Sequence, residues 1–300
     1  MNKVIVVQGP TASGKTDLAV DVALKFNTEI ISADSRQFYK ELSIGTAKPN
    51  EVELKQVKHH FIDFTSINQE ISAANFAKLA EPILQQLLVK NGCAIVVGGS
   101  GMFVDALING LDEVPVNEII RQELMESFKK HGLTPLLNEL AELDPVFYNQ
   151  VDQNNPMRIV RALEAIRESG QKISELFKNQ PKKRDFKVIR LAIDWPRDLL
   201  YDRINHRVDE MISKGLINEV SSLIDSRHLN ALKTVGYKEI FDFLDGEISQ
   251  GKAIDLIKQH TRNYAKRQLT WLRRYDDLNY LNPFLEIPVL EQALEIIQAS

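Results

Sequence analysis

The sequence predicts an α/β protein in which a parallel sheet flanked by helices is interrupted by an all-helical insertion. Three observations predict it. An apolar run, Lys3 to Val7, leads into GPTASGKT (Gly9 to Thr16) and then into an amphipathic helix. Short apolar runs alternate with helical periodicity over the first hundred or so residues, the pattern of a parallel sheet with right-handed crossovers. From Val114 to about Gln180 the periodicity is helical only, in short pieces. We therefore expect a P-loop NTPase-like core from 1–113 and 196–300, with a helical insertion at 114–195.

The elements follow in order. Lys3 to Val7 reads as a buried strand bounded by Gly9-Pro10. Thr16 to Phe26 places Leu18, Ala19, Val22 and Ala23 on one stripe and reads as a helix. Glu29 to Ala33 is a second strand. Ser72 to Leu88 repeats Phe76, Leu79, Ala80, Ile83, Leu84, Leu87 and Leu88 at helical spacing. Cys93 to Val97 is a third strand, followed by Gly98-Gly99-Ser100-Gly101. In the insertion, Gly132, Pro135, Pro145, Pro156 and Gly170 break the helical pieces. A strand returns at Lys187 to Ile193. Pro196 then starts a helix to about Lys214, in the first turn where proline is tolerated. A long helix from about Ser249 to Tyr275 closes the core.

Composition narrows the class. The chain of 300 residues is 44% hydrophobic and 26% charged, ordinary for a soluble globular protein. One cysteine, Cys93, excludes a disulfide framework and any multi-cysteine zinc site. No apolar run approaches the roughly 20 residues that span a bilayer. Met1-Asn2-Lys3 passes straight into VIVV, too short for a signal peptide, so a cytoplasmic protein is expected. The net charge is −4, but it is unevenly spread. Arg158 to Arg190 carries ten Lys/Arg against four acids, and Lys258 to Arg274 six against none. Each is the composition of a solvated helix face. Together they point to a polyanionic partner.

GPTASGKT matches G-x-x-x-x-G-K-[ST] between a strand and a helix. Gly9, Pro10, Thr11, Ala12, Ser13, Gly14, Lys15 and Thr16 are therefore the candidate phosphate loop. Its amides and the helix N-terminus suit an anion. Lys15 would reach terminal phosphate oxygens, and the Thr16 hydroxyl would meet Mg2+. The second strand ends at Asp34, on the sheet edge where ligands of such folds sit. Asp34 suits a magnesium ligand, a general base, or a turn cap. The turn after the third strand suits close approach by a ligand, or simply joins a strand to a helix. Arg203 and Arg207 share a helix face, to close over a diphosphate or to pair with Asp209 or Glu210. Lys258, Arg262 and Lys266 form a cationic ridge suited to a phosphate backbone. His59 and His60 lack a third ligand at metal spacing and read as structural.

Taken together, the motifs resemble a known family. GPTASGKT, DSRQFYKELSIGTAKP (Asp34 to Pro49), HHFID (His59 to Asp63), VVGGSGMFVDALINGL (Val96 to Leu111), NPMRIVRALE (Asn155 to Glu164), KTVGYKEI (Lys233 to Ile240) and TRNYAKRQLTW (Thr261 to Trp271) occur in the order found in bacterial tRNA dimethylallyltransferases, also called tRNA isopentenyltransferases. The likeness runs from about Lys3 to Trp271. It implies transfer of a dimethylallyl group from dimethylallyl diphosphate to the exocyclic amine of the adenosine 3′ of the anticodon, on a base flipped into the core. The P-loop would hold the donor's diphosphate rather than drive ATP hydrolysis. Asp34 is implied as general base. Thr11 to Thr16 is implied as the diphosphate site with Mg2+ assisting, so that Thr11 and Lys15 act in catalysis. Arg207 is implied to stabilise the leaving group.

The resemblance also implies tRNA contacts at Asp34, Ser35, Arg36 and Gln37, at Ser100, at Arg121 or its neighbour Gln122, and at Met157, Arg158 and Arg161. The insertion would clamp the anticodon stem-loop, and the enzyme would act as a monomer. Two positions depart from the family pattern. Met157 replaces a glutamine, and Ser100 a threonine. Two rival readings share these residues. A small-molecule or nucleotide kinase has no use for the basic segments. A nucleotide-gated RNA binder has no use for an acid at Asp34.

Overall fold

A computed structural model describes residues 1–112, 114–177 and 182–300. Strand β1 (Asn2–Gln8) runs into the glycine-rich loop and helix α1 (Lys15–Lys25). Then come β2 (Ile30–Ser32), α2 (Glu51–Gln56), β3 (His59–His60), α3 (Ala73–Asn91), β4 (Cys93–Gly98) and α4 (Gly101–Asn109). A helical stretch follows, α5 (Glu118–His131), α6 (Thr134–Leu143), α7 (Pro145–Gln150), α8 (Pro156–Ser169) and α9 (Ile173–Leu176). The chain returns to the sheet with β5 (Phe186–Ile193). It ends with α10 (Arg197–Ser213), α11 (Leu216–Ser221), α12 (Tyr237–Leu244), α13 (Gln250–Leu272), β6 (Leu278–Leu281) and α14 (Val289–Ala299).

The chain divides into two units, Met1–Asn109 with Lys183–Ser300, and Gly110–Lys182. The first is an α/β unit built on a six-stranded sheet of order β3-β2-β4-β1-β5-β6. Every pairing among the described strands is parallel. Sequence reading placed 114–195 in the insertion, and the structure corrects that boundary. β5 pairs with β1 along its whole length, from Asn2 opposite Phe186 to Gln8 opposite Ala192. A central strand cannot leave the sheet without exposing its ladder, so the core resumes at Lys183. Glu113, Lys178 and Gln180, at or near the edges of the expected insertion, lie outside the described residues.

β1 explains its own sequence. Val4 and Val6 pack on one face with Phe76, Leu84 and Leu107 of α3 and α4. Ile5 and Val7 pack on the other with Leu18 and Val22 of α1 and Ile297 of α14. A strand covered on both faces reads as an unbroken apolar run. Where the core chain breaks for the insertion, Arg184 closes it. Its Nε donates to Ile108 O at 2.7 Å and its guanidinium donates to Leu107 O, satisfying the last carbonyls of α4. Glu81 accepts from the same guanidinium at 2.6 Å.

The second unit, described by itself, packs Leu124, Leu136, Leu140, Ile159, Leu163 and Ile166 into one core. Its glycines and prolines are helix punctuation. Gly132 and Gly170 cap α5 and α8, and Pro145 and Pro156 open α7 and α8. Asp144 is fully buried and caps α7 through Phe147 N at 3.0 Å, while accepting from Ser174 N at 2.8 Å.

Other boundaries shift by small amounts. Pro196 is the N-cap of α10 rather than its first residue, and α13 stops at Leu272 instead of Tyr275. The short edge strands β3 and β6 and the last helix α14 had not been anticipated. Two-residue and four-residue strands carry too little period-2 pattern to be read.

Candidate active site

The glycine-rich loop lies between the end of β1 and α1. Gly14 takes the left-handed conformation at φ 87° as N-cap of α1, and Ala12 is left-handed at φ 64°. At Gly9 a Cβ would sit 2.6 Å from Ser13 Oγ, so glycine leaves that hydroxyl its place in the tight loop. Two donors pin the loop's carbonyls from outside. Arg203 Nε donates to Ala12 O at 2.8 Å, and Trp195 Nε1 donates to Ser13 O at 2.9 Å. Arg203 also stacks on Trp195, 4.3 Å from the ring centre. In a trans peptide the N–H points opposite its C=O, so the Gly14 N–H faces away from Trp195. Arg203 is thus a strut for the loop.

Arg207, one turn further along α10, has a different environment. Its Nε is buried and has no hydrogen-bond partner. Burial pulls the guanidinium below its ordinary pKa, against the opposing charges of Asp34 and Glu210. It stays protonated, because so strong a base cannot be neutralised in a protein. The sequence left an ion pair with Asp209 open, and the structure gives Asp209 to Lys258 at 2.7 Å. Lys15 curls back toward Pro10 O at 3.4 Å. Burial, then the Arg207 charge, depress its pKa to about 8, with Asp34 acting the other way. Lys15, Arg207 and Asp34 therefore feel one another's charges. Two half-buried cations, one with an orphaned donor, suit an anion.

Asp34 follows β2, at the carboxyl edge of the sheet. Its Oδ1 accepts from Arg36 N at 3.0 Å, so the turn-cap reading holds for one oxygen. Tyr264 of α13 is also close, its pKa pushed up to about 12 by burial and then by the Asp34 charge. Further along the turn, Arg36 donates to Asn230 O at 3.2 Å. Gln37 spends its amide on Thr46 O and Ala47 O, both at 3.2 Å.

A cavity of about 880 Å³ opens beside the loop. Lys15, Thr16, Arg203 and Arg207 line it, with Ser43, Ile44, Ala47 and Lys48 on another wall. That wall is held by Glu219 of α11, which accepts from the amides of Ser43 (3.1 Å), Ile44 (2.7 Å) and Gly45 (3.0 Å). Tyr237 OH donates to the same carboxylate at 2.6 Å. A Cβ on Gly45 would run into the Tyr237 ring. No group of three or more His, Cys, Asp or Glu suited to a metal occurs among the described residues.

The Gly98 to Gly101 turn was read as room for a ligand or as a plain connection. Gly98 gives room to the Ala33 backbone, and the other two glycines to side chains of α13. A Cβ on Gly99 would meet Gln268 Nε2, and one on Gly101 the Trp271 indole. Ser100 immediately precedes α4, its carbonyl accepting from Phe103 N and Val104 N at 3.1 and 3.2 Å. The cationic ridge of α13 is likewise partly spent inside the protein. Lys258 pairs with Asp209, and Arg262 donates to Asn205 Oδ1 at 2.6 Å, both on α10.

The remaining expected tRNA contacts lie in the second unit. Arg121 makes a two-pronged contact with Glu164, both bonds at 3.0 Å. Arg161 reaches the same carboxylate at 3.3 Å. Glu164 is fully buried. Burial raises its pKa, but the bonds from Arg121 and Asn117 and the two arginine charges prevail and hold it below the usual range. Gln122, Met157 and Arg158 are exposed. Gln268, Trp195 and Glu219 had not been singled out. Gly99, opposite Gln268, was the one sequence signal of a close approach to any of the three.

A glycine-rich loop at the end of the central β1, opening the helix that carries Lys15, within a parallel six-stranded sheet, defines a protein of P-loop-like fold. A family model described as IPP transferase matches residues 37–275. tRNA dimethylallyltransferase 1 of Bacteroides thetaiotaomicron is 42% identical over 97% of this chain and 95% of its own. The tRNA dimethylallyltransferase of Christiangramia forsetii is 45% identical over 93% of each. The crystal structure of the tRNA isopentenylpyrophosphate transferase from Bacillus halodurans is 34% identical, with a TM-score of 0.70, covering 100% of this chain and 94% of its own. A eukaryotic dimethylallyltransferase acting on tRNA superposes with a TM-score of 0.81 at 26% identity, covering 94% of this chain and 74% of its own. The chain belongs to the IPP transferase family.

Proposed function

We propose that this enzyme transfers the dimethylallyl group of dimethylallyl diphosphate to the exocyclic N6 of the adenosine 3′-adjacent to the anticodon in tRNA. The observation that carries the reading is Arg207: a half-buried side chain whose buried Nε has no partner, beside Lys15 and the glycine-rich loop and within reach of the Asp34 charge. Such a cluster stabilises a departing diphosphate.

The N6 lone pair is delocalised into the adenine ring and attacks poorly. The allylic carbon compensates, because its bond to oxygen breaks as diphosphate leaves. A C–N bond forms, a C–O bond breaks, and the amine proton goes to Asp34. The loop amides, Lys15 and Arg207 hold the leaving diphosphate, with the Thr11 hydroxyl beside them. Thr16 fits Mg2+, which favours phosphate oxygens and waters and needs few protein ligands. Bound there, Mg2+ would neutralise diphosphate charge. Asp34 to Gln37 and Ser100 would meet the target nucleotide. Arg121 or Gln122, with Met157, Arg158 and Arg161, would meet the anticodon stem-loop. The enzyme works as a cytoplasmic monomer. No helix among the described residues is long and apolar enough to cross a membrane.

The test is transfer of label from radiolabelled dimethylallyl diphosphate to an anticodon stem-loop RNA, with labelled ATP in a parallel reaction. Label is expected in RNA from the prenyl donor only; phosphate transfer from ATP without prenyl transfer would refute the reading. Asp34→Asn should bind RNA and donor but lose turnover by about 100-fold or more. Near-normal turnover would remove Asp34 from the role of base.

A further inference from the structure

Helix α13 reaches into the site through one buried side chain. Gln268 is 7% exposed and sits at the carboxyl edge of the sheet. Its Oε1 accepts from the backbone N–H of Thr11, in the phosphate loop, at 2.9 Å. Its Nε2 donates to Gly99 O, in the turn after β4, at 2.9 Å. One amide thus bridges the two loops. The orientation is dictated by chemistry, since the acceptor must face an N–H and the donor a carbonyl. Gly99 is required for the same reason, because a Cβ there would occupy the place of Nε2.

We infer that Gln268 is a positioning residue for prenyl transfer, setting the distance between the diphosphate cradle and the turn that carries Ser100. The inference rests on the reading of this site as a prenyl-transfer site. The Thr11 N–H is turned to Gln268, so that amide does not serve the anion, and Thr11 contributes through its hydroxyl. The strained backbone at Ala12 follows directly, and its carbonyl is held from the other side by Arg203. The loop is clamped between α10 and α13. A shift of about 1 Å between reacting groups is enough to cost on the order of 100-fold in rate. The contribution of Gln268 is therefore expected in turnover and in diphosphate affinity.

The test compares Gln268→Met, which keeps the volume and loses both bonds, with Gln268→Asn, which keeps the amide but is too short to bridge. Three quantities are read in the full chain: pyrophosphate Kd by calorimetry, kcat and KM for prenyl transfer, and Kd for the stem-loop RNA. Both variants are expected to raise pyrophosphate Kd about 5-fold or more and lower kcat about 10-fold to 100-fold, with RNA Kd within about 2-fold. Should Gln268→Met fail to fold, Gln268→Asn carries the test alone. Pyrophosphate Kd and kcat within about 2-fold of the parent in Gln268→Asn would overturn the bridge. So would lost activity that follows the folded fraction while KM and pyrophosphate Kd stay unchanged. Pyrophosphate binding needs no turnover, so a parent protein unable to transfer the prenyl group would refute the reading of function and leave this measurement standing.

Discussion

Lys15 shows how a single residue sets the pH behaviour of the site. Burial and the neighbouring Arg207 bring its pKa to about 8, well below the ordinary lysine value of 10.5. A bound diphosphate favours the ammonium and raises that pKa again. Binding above about pH 8 therefore takes up a proton. Once the ligand's own ionisation is allowed for, pyrophosphate affinity should be flat below pH 8 and fall toward 10-fold per unit above it. Calorimetry at pH 7 and pH 9.5 on the parent and on Lys15→Met checks this; the same pH dependence in both would mean Lys15 does not face the anion. Stability moves the opposite way. The folded pKa lies below the unfolded one, so the cost of burying Lys15 is full below pH 8 and is relieved between about 8 and 10.5. The residue was legible in the sequence because the loop motif is local. Arg207 was only half legible. Its spacing from Arg203 marked a shared face, yet the structure gives the two arginines different tasks, one bracing the loop and one left open to it.

Among the elements, the sequence motifs turn out to be two halves of contacts. The stretch around Gly45 lies against Tyr237 of α12, and the turn at Gly99 and Gly101 lies against Gln268 and Trp271 of α13. Each half is recognisable alone, but its reason is visible only when both are in place. Glu219 of α11 is the key to the first contact. It satisfies three consecutive amides and the Tyr237 hydroxyl. Glu219→Ala should cost about 2–4 kcal/mol in urea denaturation, because charged hydrogen bonds are lost and part-buried amides are left without partners. Pyrophosphate Kd should rise as well, since that wall lines the cavity. A variant as stable as the parent would show the wall to be held by packing alone. The α13 ridge carries the contrary lesson. Three cations at four-residue steps read as a phosphate-binding stripe, but two of them face polar groups of α10. Spacing reveals which residues share a face and is silent about what the face meets.

For the whole molecule, charge distribution is the informative quantity. A chain of net charge −4 carries two basic segments, one of them running through α8 of the second unit. Stem-loop RNA affinity should fall steeply with salt, by about 10-fold or more between 50 and 200 mM, while pyrophosphate binding changes far less. Arg158→Glu, at an exposed position of α8, should weaken RNA binding and leave pyrophosphate Kd unchanged. Flat salt dependence would mean these cations do not touch phosphates. Arg121 and Arg161 are less simple. Both already satisfy the buried Glu164, so Glu164→Gln should destabilise the second unit as well as release them.

The sequence by itself determined the glycine-rich loop between β1 and α1, the parallel sheet and the helical insertion, and it pointed to the acid at Asp34. Each is written in local signals: a glycine-lysine spacing, a period of two or of 3.6, a strand end. The order of its motifs pointed to the family. Only the tertiary structure decided the strand order, the return of β5 to the sheet before residue 195, and the roles of Arg203, Arg207, Glu219 and Gln268. Those depend on contacts between residues as far as 257 positions apart. No periodicity records such a contact, because a buried amide such as Gln268 has the same local sequence context whether it faces solvent or spans two loops.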